Sequence, residues 1–246
     1  MQRENIKKGI YILPNLFTSM NMFCGYYAVL AAVNTRYEQA AISILIGAVF
    51  DLLDGKIARA TNTTSRFGIE YDSLADLITF GLAPSLLMVL WVLEPIGRLG
   101  WLGGFLFAAC GALRLARFNT TVEIKDSGSF EGLPIPAAAC MNAAVVMLFS
   151  RLGADPDPYR LIILFMLYAL SFCMVSSFKY KSFKNISLFK RTRFNWLVGA
   201  VLVLITVAYE PWLVLFAFMS VYVMSGPVLA PFHHHEEREN QEEAGL

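Results

Sequence analysis

The sequence predicts an all-α, polytopic membrane bundle of about eight transmembrane helices with its N-terminus on the cytoplasmic side. Three observations carry this. The 246 residues are 57% hydrophobic and 16% charged, with a mean hydropathy of +0.54, a balance foreign to soluble domains. The apolar residues gather into stretches close to the ~20 residues a spanning helix needs. The cations are also segregated. With the N-terminus inside, sixteen of the twenty Lys and Arg fall on cytoplasmic segments, and only Arg36, Arg98, Arg151 and Arg160 fall outside, which is the positive-inside asymmetry. The net charge of +1 hides that segregation.

In order, the spans read as 11–33, 38–57, 73–93, 100–116, 134–150, 160–178, 194–209 and 211–231. Lys7 and Lys8 precede the first, as in an export leader. The stretch behind them exceeds twenty residues without a small-residue cleavage site, so it reads as a retained helix. Gly100 and Gly104 give the fourth span a G-x3-G spacing, a weak signal for helix contact. Gly132, Pro134 and Pro136 open the fifth. The seventh is short, and Pro211 separates it narrowly from the eighth, so the two form a tight hairpin or one span with an interfacial piece. Residues 1–231 read as a single domain with a core of about 9–193, and 232–246 as a flexible acidic tail. Cys24, Cys110, Cys140 and Cys173 lie in apolar segments without CxxC spacing and read as small buried hydrophobes. His233, His234 and His235 read as part of a solvated tail or tag. Six cations between Lys179 and Arg193 serve as membrane anchors or attract anionic headgroups.

Against this apolar background the block from Asp51 to Asp76 stands out. It has the form D-x2-D-G-x2-A-R-x8-G-x3-D-x3-D, filled by Asp51, Asp54, Gly55, Ala58, Arg59, Gly68, Asp72 and Asp76. A carboxylate near bilayer depth costs about 2.5–3.5 kcal/mol even on permissive scales. Asp51 and Asp54 are i, i+3 and Asp72 and Asp76 are i, i+4, so each pair shares a helical face. Two such helices facing each other would offer four hard oxygen ligands to Mg²⁺ or Mn²⁺. The competing reading is a salt-bridged cluster with Arg59 and Arg66. It leaves two carboxylates uncompensated, and like charges about 4 Å apart repel by ~4 kcal/mol at an effective dielectric near 20. Asn15, Thr18 and Asn21 recur every three residues on one side of the first helix, where they pack against protein or line a site.

The eight positions, residue for residue and gap for gap, resemble the signature of the CDP-alcohol phosphatidyltransferase family. The resemblance implies an integral membrane enzyme that moves a phosphatidyl group from a CDP-linked lipid to an alcohol. It implies two divalent ions held by Asp51, Asp54, Asp72 and Asp76, with Asp72 and Asp76 catalytic and Asp76 in the role of general base. It also implies a nucleotide site drawn from Asn15, Thr18, Asn21, Gly55, Ala58, Arg59 and Gly68. The glycines fit a close approach of nucleotide to backbone, and Ala58 keeps the same face open.

The acceptor is addressed by a second block, residues 111–139. Its R-x-A-R-F-N run (Arg114 to Asn119), the F-x-G-L-P-x-P-A-A-A that follows, and SSFKYKSFK at 176–184 resemble the serine-using branch of the family. That implies L-serine as acceptor, CDP-diacylglycerol as donor, and phosphatidylserine and CMP as products. Arg114, Arg117, Asn119 and Lys184 are the candidates to bind serine. Two arginines at i, i+3 suit a carboxylate or phosphate, or anchor a helix end. The resemblance further implies a homodimer; the cation asymmetry puts the site on the cytoplasmic side, a bacterial or archaeal cell membrane is expected, and no nucleic-acid partner is. Two alternatives remain: another acceptor (glycerol phosphate, an inositol phosphate or choline), and a divalent-cation transporter. The fixed Gly55, Ala58, Arg59 and Gly68, and the absence of charge toward the opposite leaflet, argue against transport.

Overall fold

The computed structural model describes residues 2–61, 63, 65–121, 130–180 and 209–244. A long first helix, α1 (Gln2–Val33), turns at Asn34–Arg36 into α2 (Tyr37–Ala60), and the two pair along their length. The pairing rests on small residues. Ala28, Ala31 and Ala32 of α1 and Ala40, Ala41, Ser43 and Gly47 of α2 are buried, so the backbones approach closely.

The third span runs unbroken from Arg66 to Ile96 and changes pitch on the way. It comprises α3 (Arg66–Asp76), a π-helical stretch (Leu77–Leu82), α4 (Ala83–Met88), a second π stretch (Val89–Leu93) and a 3₁₀ turn (Glu94–Ile96). Each π stretch ends just ahead of a proline, Pro84 or Pro95. Proline has no N–H, and its ring crowds the carbonyl four residues back. A wider turn accommodates this: the Ala83 N–H reaches Ile78 O, and the Glu94 N–H reaches Val89 O.

α5 (Arg98–Thr121), α6 (Ile135–Leu152), α7 (Arg160–Val175) and α8 (Pro211–Ala244) complete the bundle. Its centre is α6, buried on most sides, with Phe80, Phe107, Leu87, Met88, Leu133, Ile135, Met147, Leu167 and Leu170 forming the core around it. α8 lies against α6 and α7. Phe23, Phe105, Phe165 and Phe172 point outward, where a bilayer solvates them. A two-residue antiparallel pair, β1 (Phe130–Glu131) with β2 (Lys179–Tyr180), ties the entry of α6 to the exit of α7.

Among the described residues, six helical runs are long and apolar enough to cross a membrane: Leu13–Val33, Arg66–Ile96, Arg98–Thr120, Ile135–Leu152, Asp157–Val175 and Pro211–Val228. The chain is therefore a multi-pass membrane protein. α2, expected as a span at 38–57, has the length, and its charged residues Glu38, Asp51, Asp54, Lys56 and Arg59 gather at its two ends, leaving 39–50 uncharged. The expected seventh span lies almost wholly in 181–208, outside the described residues. Where a flexible tail was expected at 232–246, the backbone continues α8 to Ala244, in keeping with the helix propensity of its Glu, Gln, Arg and Ala residues. The four cysteines are free and buried, as expected. The G-x3-G pair serves packing within the chain. A Cβ on Gly100 would meet Leu93 O at 2.2 Å, and one on Gly104 would meet Val89 Cγ2 at 2.5 Å. Ser85 Oγ donates to Gly104 O across the same contact (2.7 Å).

Candidate active site

The aspartates sit where α1, α2 and the third span converge. One threonine fastens that junction: Thr79 Oγ1 donates to Asn21 O at 2.9 Å. The helices can come this close because Gly25 and Gly47 carry no side chain. A Cβ on Gly25 would lie 2.5 Å from Thr79 Oγ1, and one on Gly47 would lie 2.6 Å from Thr79 Cγ2. α3 starts on a sound cap, with the Gly68 N–H donating to Ser65 Oγ (3.0 Å).

Asp51, Asp72 and Asp76 each offer a carboxylate oxygen to one cluster, all within 4.8 Å of one another. Asp54 stands apart from this trio. It is 4% exposed, and its Oδ2 accepts from Thr18 Oγ1 at 2.9 Å. Asp54 is thus tied to α1, while Asp51, Asp72 and Asp76 form the tighter group. Asn21, fully buried, donates from Nδ2 to Asp76 Oδ1 at 3.0 Å. Thr18 and Asn21 therefore hold two of the four carboxylates. Asn15 is half-buried over α3, with its Oδ1 3.6 Å from where a Gly68 Cβ would stand. Gly55 and Ala58 are half-buried, and Arg59 is exposed with its Nη2 3.6 Å from the Gly55 Cβ position. Arg59 forms no ion pair with these aspartates among the described residues.

The donor set fits a hard divalent cation. Three carboxylates converge from two helices, and Asp72 Oδ1 is shielded from solvent without a hydrogen-bond partner. A buried, unpartnered carboxylate oxygen is costly, and a cation would satisfy it. All ligands in the set are oxygens, as Mg²⁺ and Mn²⁺ prefer.

The acceptor candidates part company. Arg114 is half-buried, its Nε shielded and without a hydrogen-bond partner, within electrostatic reach of Asp76 and of Tyr222 on α8. Arg117, one turn on, is exposed. The two arginines therefore do not share one environment as their spacing suggested. Asn119 bridges to α3, its Nδ2 donating to Ser73 Oγ (3.0 Å) and to Glu70 Oε2 (3.4 Å), a positioning contact between α5 and the aspartate helix. Lys184 lies outside the described residues. Sequence reasoning missed Thr79 and Tyr222. Thr79, three residues after Asp76, carried a faint signal as a polar residue in a span; Tyr222 carried none.

The sequence profile of the CDP-alcohol phosphatidyltransferase family matches residues 11–175, taking in α2, α3 and the whole aspartate junction. The chain belongs to the CDP-alcohol phosphatidyltransferase family. Among curated relatives, the CDP-diacylglycerol–serine O-phosphatidyltransferase of Helicobacter pylori (strain ATCC 700392 / 26695) is 36% identical over 217 residues, covering 88% of this chain and 90% of the relative. The enzyme of the same name from Bacillus subtilis (strain 168) is 35% identical over 175 residues, 70% of this chain and 92% of the relative. The archaetidylserine synthase of Methanothermobacter thermautotrophicus is 35% identical over 172 residues, 68% of this chain and 69% of the relative.

Proposed function

We propose that the chain transfers the phosphatidyl group of CDP-diacylglycerol to the hydroxyl of L-serine, forming phosphatidylserine and CMP at a site facing the cytoplasm. The observation that carries the chemistry is the convergence of Asp51, Asp72 and Asp76 oxygens within 4.8 Å beside an unpartnered Asp72 Oδ1. Serine as acceptor is supported by the names of the relatives, all of which are serine-transferring or serine-type synthases.

When bound, two divalent cations would clamp the pyrophosphate and offset charge on the attacking and leaving oxygens. Asp51, Asp72 and Asp76 would hold them, with Asp54 completing the set from its Thr18-fixed position. Asn21 occupies Asp76 Oδ1, which leaves Oδ2 to take the proton from the serine hydroxyl as its oxygen attacks phosphorus and CMP departs. Asn15, Thr18, Gly55, Ala58, Arg59 and Gly68 would line the cytidine and ribose end. Arg114 is the candidate partner of the serine carboxylate, because its guanidinium points inward near Asp76 while Arg117 is exposed. Arg117, Asn119 and Lys184 would serve the rim of that pocket. A homodimer is the expected assembly.

The test is CMP release by purified protein given CDP-diacylglycerol and Mn²⁺ or Mg²⁺, with and without L-serine. Release that requires serine and stops on chelation supports the reading. Release driven by glycerol phosphate, an inositol phosphate or choline instead would overturn the acceptor while keeping the site.

A further inference from the structure

At the opposite end of α2 the bundle contains a cavity of about 450 Å³, formed by the α1–α2 turn, the C-terminal end of α6 and Trp91. A helical rise of 1.5 Å per residue puts its Glu38 about 20 Å along α2 from Asp51, so it is separate from the reaction centre. Its walls carry both signs of charge. Among the described residues Arg36 has no ion-pair partner. Glu38 is held in place by Ser150 Oγ, which donates to its Oε2 at 3.1 Å. Beside them stands Trp91, its ring 5.6 Å from Phe149 and nearly perpendicular to it. Tyr37 fixes this end of α2 by donating to Leu90 O at 3.0 Å.

The turn itself sets Thr35 and Arg36 in the cavity wall. Arg36 N–H to Ala31 O (2.8 Å) and Thr35 N–H to Ala32 O (3.0 Å) close α1 in a Schellman motif, which puts Thr35 at φ 59°. Glycine would fill that place without strain, whereas a β-branched residue there is uncommon. Thr35 lines the cavity.

We propose that this cavity binds the headgroup of a zwitterionic phospholipid of the ethanolamine type from the leaflet opposite the reaction centre. The phosphate pairs with Arg36, and the ammonium sits between Glu38 and the face of Trp91. A lipid is favoured over a soluble zwitterion because Val33 and Leu152, each within two residues of a lining residue, face outward at 63% and 66% exposure, where acyl chains would cover them.

The experiment is native mass spectrometry of the full-length protein in detergent with phosphatidylethanolamine and phosphatidylglycerol supplied equally. It is run on wild type, Arg36→Ala and Glu38→Gln, two surface variants expected to fold and to turn over normally. Wild type should retain phosphatidylethanolamine preferentially, and each variant should lose about tenfold of that retention, the scale of one charge-assisted contact. Equal retention of both lipids, or retention unchanged in both variants, would overturn the proposal. Displacement by equimolar glycerophosphoethanolamine would overturn the lipid assignment in favour of a soluble zwitterion.

Discussion

Asp72 and Asp54 lie on neighbouring helices yet are built into the site differently. Asp72 Oδ1 is buried and unpartnered, whereas Asp54 Oδ2 is held by Thr18. On the proposed function, Asp72→Asn should lower turnover by at least about 10³-fold, on the scale of losing a preorganised charge stabiliser, while the protein still elutes as a folded species in detergent. Near-normal turnover would refute its role. Thr18→Val removes a hydrogen bond to a carboxylate, worth ~1.5–3 kcal/mol, and should slow turnover roughly ten- to hundredfold. Because Thr18 acts through Asp54, the double variant with Asp54→Asn should be no slower than Asp54→Asn alone; additive losses would place Thr18 elsewhere in the mechanism. The aspartates were legible in the sequence because helical spacing fixes which residues share a face. The turning of Asp54 toward Thr18 was not, since it depends on where α1 docks. Arg114 and Arg117 teach the same lesson: i, i+3 places two side chains near one another, but the neighbouring helix decides which is covered.

At the scale of elements, two glycines of α2 make opposite predictions. Gly47→Ala would drive a methyl to 2.6 Å from Thr79 Cγ2 and 3.1 Å from Asn21 Oδ1. It should cost about 1–3 kcal/mol as overpacking, seen as a lower melting temperature in detergent, with activity lost as well. Gly55→Ala meets nothing closer than Arg59 Nη2 at 3.6 Å. It should leave the melting temperature unchanged while raising the KM for CDP-diacylglycerol, and an unchanged KM would remove Gly55 from the nucleotide site. Helix positions were readable from apolar stretches, but the pitch of the third span was not. Its π stretches answer Pro84 and Pro95, and composition cannot say whether a proline will kink a helix, end it or widen it. G-x3-G likewise announces close packing without naming the partner, which here is the third span of the same chain.

For the whole molecule, the asymmetry of Lys and Arg predicts sidedness. The four native cysteines are buried, so a single introduced thiol can be read against a low background. A membrane-impermeant maleimide applied to intact cells should label Arg98→Cys and not Thr61→Cys, and the reverse pattern would invert the orientation. Overall class and the carboxylate cluster were legible from composition and one motif. The boundary of the last helix was not, because a charged, helix-favouring tail reads as easily as coil as it does as an extension of α8.

The fastening at Thr79 has a consequence for traffic. α1, α2 and the third span are clamped together by two glycine contacts and a buried hydrogen bond, so the half of the protein that carries the carboxylates behaves as a fixed jaw. On the proposed function, a two-tailed donor and a two-tailed product must nonetheless enter and leave sideways. Outside that clamp stands α8, packed on α6 and α7 and tied at its start by the solvent-exposed Arg151–Glu210 pair. The carboxylates can thus keep their mutual spacing while helices outside the clamp shift around them.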